Sequence, residues 1–101
     1  MINNNNEDNI DAETINALGL RLTDKRVNAD TALSARVFEY PHLENVFIME
    51  SDLYGNTMPK DSCFLAFNGQ HGLIGKYLKV ETLKRSRVMD IEKVVQHNNE
   101  G

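Results

Sequence analysis

The segment Cys63-Phe64-Leu65-Ala66-Phe67 constrains this chain more than any other. It is five apolar residues long, too short for a stable helix and the right length for a buried strand. Its flanks agree with that reading. Pro59-Lys60-Asp61-Ser62 before it has the chemistry of a turn, with proline fixing the backbone and Asp61 able to accept from the following amides. Asn68-Gly69 after it tolerates positive φ and predicts a hairpin. Leu73-Ile74-Gly75-Lys76-Tyr77-Leu78-Lys79-Val80 then returns as the partner strand. A chain with this hairpin at its centre must build a sheet around it.

Upstream, Val46-Phe47-Ile48-Met49 is another apolar run of strand length. Asp11 to Leu18 predicts a short helix, capped by Asn9 or Asp11 and stopped at Gly19. Leu20-Arg21-Leu22 is too short to classify, and Thr23 to Arg26 reads as a loop. Residues 28–40 fit a helix capped by Asp30 or a strand over Ala35–Tyr40, and Pro41 ends either one. Leu83 to Ser86 reads as a turn. Arg87 to Val95 reads as a final strand, with a helix over Asp90–Gln96 as the alternative. The expected fold class is α+β, mostly β: a short N-terminal helix, then a small twisted antiparallel sheet or half-barrel of about four to five strands.

The expected boundaries are an Asn-rich disordered tail over residues 1–9, one small domain over 10–96, and a second disordered tail over 97–101 that contains His97. Met1 to Asp8 is polar and acidic and lacks the basic start and apolar stretch of a secretory signal, so a cytoplasmic protein is expected. No stretch has the length and apolarity of a membrane-spanning helix, and no membrane partner is expected. The one cysteine, Cys63, cannot form an internal disulfide, and His42, His71 and His97 show no metal-ligand spacing. Gly69, Gly72 and Gly75 lie between two strands, whereas a phosphate cradle leads into a helix. No metal and no cofactor are expected.

The net charge of −4 is a sum over two unlike regions. Residues 1–61 carry 11 acids and 5 bases, and residues 62–101 carry 4 acids and 6 bases. Lys76, Lys79, Lys84, Arg85 and Arg87 are the candidate binding residues of the basic 76–93 segment. Nucleic acid is the alternative partner there, and it is not favoured, because such binders are usually basic overall and Tyr77 is the one stacking ring in the segment. The simpler reading is that these charges flank strands and discourage edge pairing.

Met58-Pro59-Lys60-Asp61-Ser62-Cys63-Phe64-Leu65-Ala66-Phe67-Asn68-Gly69, followed by Leu73-Ile74-Gly75-Lys76-Tyr77-Leu78, resembles the C-terminal Ser–Lys peptidase-like domains of LexA, UmuD and lambda-type phage repressors. Asn45 to Met49 resembles the strand that follows an Asp-Gly turn in that family, and the resemblance spans residues 31–80. It implies Lys76 as general base and a serine in the region of Thr31-Ala32-Leu33-Ser34-Ala35 as nucleophile. Ser34 stands there without the family's preceding glycine or following methionine, and Lys60 replaces the turn glycine. Ser51 is a second candidate nucleophile. The resemblance therefore implies a catalytically silent relative that keeps the sheet and its homodimer. The leading expectation is a non-enzymatic interaction module, an accessory regulator or inhibitor of a phage or mobile element, with itself and a further protein as partners. A self-cleaving Ser–Lys regulator and a nucleic-acid binder are the alternatives.

Overall fold

The computed structural model describes residues 9–28 and 34–99. The expected Asn-rich tail, Asp30 and the segment Thr31–Leu33 lie outside these residues, apart from Asn9. The element order is α1 (Ala12–Leu18), β1 (Arg21–Asn28), β2 (Ser34–Glu39), β3 (Val46–Met49), β4 (Ser62–Gly69), β5 (Gly72–Lys79), α2 (Val80–Arg85) and α3 (Val88–Asn99). The strands form one antiparallel sheet in the order β1-β2-β3-β4-β5, so each strand pairs with its sequence neighbour. The expected class, an N-terminal helix followed by a small antiparallel sheet, is the observed one; the sheet is open, and two C-terminal helices complete it.

Alternation along the strands divides the core in two. Phe38, Val46, Ile48, Cys63, Leu65 and Phe67 face one way, and Leu18, Leu83, Ile91 and Val94 of the three helices pack against them. Val37, Met49, Phe64 and Ala66 face the other way, where Met58 and Leu53 of the β3–β4 connection cover them. Each fully buried Phe, Leu or Ile contributes roughly 1.5–3 kcal/mol relative to exposure.

α1 is built as its sequence predicts. The Asp11 carboxylate accepts from the Thr14 amide at 2.9 Å and the Thr14 hydroxyl at 2.7 Å, and Gly19 ends the helix at φ +66°. Asn9 does not cap; its amide donates to the carbonyls of Pro59 at 3.0 Å and Ser62 at 2.9 Å, tying the chain entry to the turn before β4.

Three local expectations along the sheet are changed or settled. Thr23–Arg26 lies within β1 instead of a loop, held by the pairs to β2 that bracket the irregular stretch, Leu22 with Phe38 and Arg26 with Arg36. The register of β1 is interrupted between Leu22 and Arg26, and there the Thr23 hydroxyl donates to the Val37 carbonyl at 2.8 Å. The open choice over 28–40 resolves as strand over Ser34–Glu39, held by β1 and β3 on either side. Third, the β4–β5 turn is Gln70-His71, and Asn68-Gly69 ends β4 instead. Gly72 takes the required positive φ of +126°, and the Ile74 side chain occupies the space a Cβ on Gly69 would need.

The C-terminal segment is helical, not a strand and not a turn. α2 takes in Leu83–Arg85 of the expected turn and leaves Ser86 as its extended cap, and Val80 caps the ladder by donating its amide to the Asp61 carbonyl at 2.9 Å. In α3 the β-branched Val88, Ile91, Val94 and Val95 suggest a strand, yet their spacing also fits a helical face, and burial of Ile91 decides it. Asp90 supports the first turn by accepting from the Arg87 amide at 2.8 Å. The helix runs to Asn99, so His97, expected in a tail, is in its last turn.

The helical face is pinned by one buried ion pair. Arg36 on β2 meets Glu50, which follows β3, through Nε–Oε1 at 2.7 Å and Nη2–Oε2 at 2.9 Å. The Glu50 side chain is 0% exposed. The same two groups hold Ile10: its amide donates to Glu50 Oε2 at 2.9 Å, and its carbonyl accepts from Arg36 Nη2 at 3.1 Å. The guanidinium also lies over the Phe38 ring, 5.0 Å from its centroid. Beyond Glu50, Asp52 organises the loop that covers the other face. Its carboxylate accepts from the amides of Tyr54 at 2.8 Å and Asn56 at 2.9 Å, and from the Asn56 side chain at 2.9 Å.

Breaking a buried ion pair costs about 3–5 kcal/mol. Arg36→Met is expected to lower the unfolding free energy by that amount, read as a lower urea midpoint at an unchanged slope, and Arg36→Met with Glu50→Leu is expected to recover part of the loss. Acid sensitivity follows from Asp52 and Asp11. Burial pushes the Asp52 carboxyl up, but the hydrogen bonds from Asn56, Tyr54 and Gly55 outweigh it and leave it below its ordinary value. The Thr14 hydroxyl and amide lower Asp11. Carboxyls depressed on folding stabilise the fold above their unfolded pKa of about 4, and that stability is lost as pH falls through the lower folded values. Denaturant midpoints measured down to acid pH are expected to fall from pH 4 downward, and Asp52→Asn is expected to flatten the fall.

Candidate functional site: the cleft between β5 and α3

The sheet order separates the candidate catalytic pair. Ser34 opens β2 and Lys76 lies in β5, with β3 and β4 between them. Through the registers, Lys76 stands opposite Leu65, Leu65 opposite Ile48, and Ile48 opposite Phe38. Three strand spacings amount to ~14 Å, and Ser34 opens β2 four residues before Phe38. The Ser34 side chain lies outside those described. Ser51 is buried just after β3, two strands from β5, and its hydroxyl donates to the Asp52 carbonyl at 3.0 Å. Neither serine is on a strand adjacent to Lys76.

The five candidate binding residues also part company. Lys76 and Lys79 differ by an odd number of positions on β5 and face opposite sides of the sheet. Lys84 reaches back to Glu13 of α1 at 3.6 Å, and Arg85 meets Glu81 at 3.8 Å one helical turn earlier. Arg87 sits exposed before α3 and uses its amide in the cap with Asp90. The basic segment is therefore not one continuous face.

A different constellation takes its place. Along α3, Asp90, Lys93, Val94 and His97 recur at helical spacing and turn toward β5. Lys76 alternates with Ile74 and Leu78 on the helical face of β5 and meets them across a cleft of about 590 Å³. Its apolar surface comes from Leu65, Leu78, Ile91 and Val94. Among the described residues, Lys76, Lys93 and His97 take part in no ion pair, and Asp90 is engaged in capping. Lys93 closes the basic 76–93 segment of the sequence, but its grouping with His97 was not visible there, because the two sit where a strand and a tail were expected. Read at helical spacing, the same residues share a face.

The outer edge of β5 is the second feature. Among the described residues, no strand pairs with it. It carries Leu73 and Tyr77, 56% and 66% exposed, on the side away from the helices. Between them, Gly75 lets the Phe64 ring lie against the strand, where an added Cβ would collide with it. Phe64 and Tyr77 form an edge-to-face pair with centroids 5.2 Å apart. The opposite edge, β1, is different in kind: it holds Arg21, Asp24, Lys25 and Arg26, and its register is broken. Charges and irregularities are how sheets blunt an edge.

The remaining chemistry-bearing groups do not form a centre. His42 packs edge-on to Tyr40 at 5.5 Å, and His71 is in the β4–β5 turn. No group of three or more His, Cys, Asp or Glu among the described residues is placed to hold a metal ion. None of the helices described is long and apolar enough to cross a membrane. No protein-family model, curated protein or solved structure matches this chain.

Cys63 is fully buried in β4. Burial, reinforced by the nearby Glu50 charge, pushes its thiol up to about 12. The thiolate is the reactive form, so the native protein is expected to stay unmodified by a thiol-reactive disulfide reagent at pH 8. One equivalent is expected to react once guanidinium unfolds the chain. Rapid reaction of the native protein would show that the β4 core opens readily.

Proposed function

We propose that this protein is a non-enzymatic protein–protein interaction module that works as a homodimer, joined through the outer edges of two β5 strands. The observation that carries this reading is the placement of exposed Leu73 and Tyr77 two residues either side of Gly75 on an open edge. A two-fold antiparallel pairing centred on Gly75 sets Leu73 opposite the partner's Tyr77, and Tyr77 opposite the partner's Leu73. Aromatic–aliphatic pairs across strands are favourable by about 0.2–1 kcal/mol each. The same register sets Lys76 opposite the partner's Ile74, so the two lysines do not confront each other. Edge-to-edge hydrogen bonds supply the rest of the attraction, as in strand addition generally, and the patch is self-complementary, as a two-fold interface requires. A regulatory role for that dimer has its support in the resemblance of residues 31–80.

Light scattering after size-exclusion chromatography at rising concentration tests this. The expected result is a mass climbing from 11.5 kDa toward twice that value. Leu73→Lys and Tyr77→Asp are each expected to weaken association at least about tenfold, equivalent to about 1.4 kcal/mol, with unchanged far-UV circular dichroism. A strict monomer at millimolar concentration, or variants that associate like the wild type, would overturn the reading.

A further inference from the structure

We propose that the cleft between α3 and β5 binds a small amphiphilic carboxylate, an apolar body carrying one anionic head. The proposal does not rest on the dimer: Lys76, Lys93, His97 and the apolar wall line the cleft on the helical face, and Tyr77 borders both the cleft and the strand edge. Three observations support it. The volume of about 590 Å³ falls within the range typical of small-molecule sites. The surface is apolar, through Leu65, Leu78, Ile91 and Val94, and suits a hydrocarbon or aryl body. Lys76, Lys93 and His97 line it, and none of them has an acidic partner among the described residues. The one carboxylate present, Asp90, already accepts from the Arg87 amide.

Charge complementarity therefore selects an anion, and the apolar surface selects its body. A bare inorganic anion would leave the apolar wall in contact with water. A nucleic acid would need a continuous basic track, and the pairing of Lys84 with Glu13 and of Arg85 with Glu81 interrupts it. A carboxylate head is expected to sit between Lys76 on the strand and Lys93 on the helix, where charge-assisted hydrogen bonds are the strong ones. His97, one turn beyond Lys93, adds a donor on the same face.

Octanoate, 1-octanol and acetate are the probes, titrated into the full chain and followed by amide proton–nitrogen chemical shifts. Octanoate is expected to shift the amides of Lys76–Leu78 and Asp90–His97 saturably. It is expected to bind at least about tenfold more tightly than octanol, which lacks the charge, or acetate, which lacks the body. Lys76→Gln with Lys93→Gln is expected to weaken octanoate about tenfold and leave octanol unchanged. Both lysines are exposed, so the amide spectrum of the variant is expected to remain that of the folded protein. Equal affinity for octanoate and octanol would overturn the cationic recognition. Shifts mapping elsewhere, an absence of saturation, or a charge-neutral variant that binds like wild type would overturn the site.

Discussion

The Arg36–Glu50 pair is the interaction on which the rest of this small structure depends. It joins β2 to the end of β3 and grips both backbone groups of Ile10, so α1 is seated on the sheet by the same two side chains that hold the sheet together. A carboxylate buried this deeply is tolerable only with such partners. The consequences spread outward from it. Glu50 raises the neighbouring Cys63 thiol further, keeping the one cysteine a packing group. Immediately after Glu50, the Asp52 loop folds back under the sheet and covers Met49 and Phe64 from the other side.

That arrangement leaves the two halves of the sheet unequal. The β2–β3–β4 centre is covered on both faces. β5 is covered on neither completely: α3 packs over β4 and stands off β5, and the loop that shields Phe64 stops short of Leu73 and Tyr77. The cleft and the open edge are thus two aspects of one fact, the incomplete cover of the last strand. At β5, exposed Leu73 and Tyr77 and the lysines that line the cleft, Lys76 and Lys93, occur together.

Much of the centre was legible in the sequence. Val46–Met49 and Cys63–Phe67 are apolar runs bounded by turn residues, and they are strands in the fold. Asp11 and Gly19 bracket α1 as their chemistry demands. The periphery was less legible, for identifiable reasons. β1 has a polar sequence and becomes a strand only because β2 offers it a ladder. α3 is rich in β-branched residues whose preference for strands is overridden by packing of Ile91 and Val94 on the sheet. The hairpin turn slid two residues past Asn68-Gly69 because Gly72 could take the positive φ and Gly69 was needed bare beside Ile74.

The candidate site shows the same division more sharply. Local pattern alone places Lys76 on one face of its strand and Tyr77 on the other, because side chains alternate along a strand whatever surrounds it. Composition alone makes residues 62–101 the more basic part of the chain. Which charges act together is settled by contacts between elements. Ion pairs to Glu13 and Glu81 withdrew Lys84 and Arg85 from the basic segment, the helical state of residues 88–99 brought Lys93 and His97 onto one side, and the meander order put two strands between Lys76 and β2. Those outcomes depend on contacts between residues distant in sequence, and no local pattern encodes them.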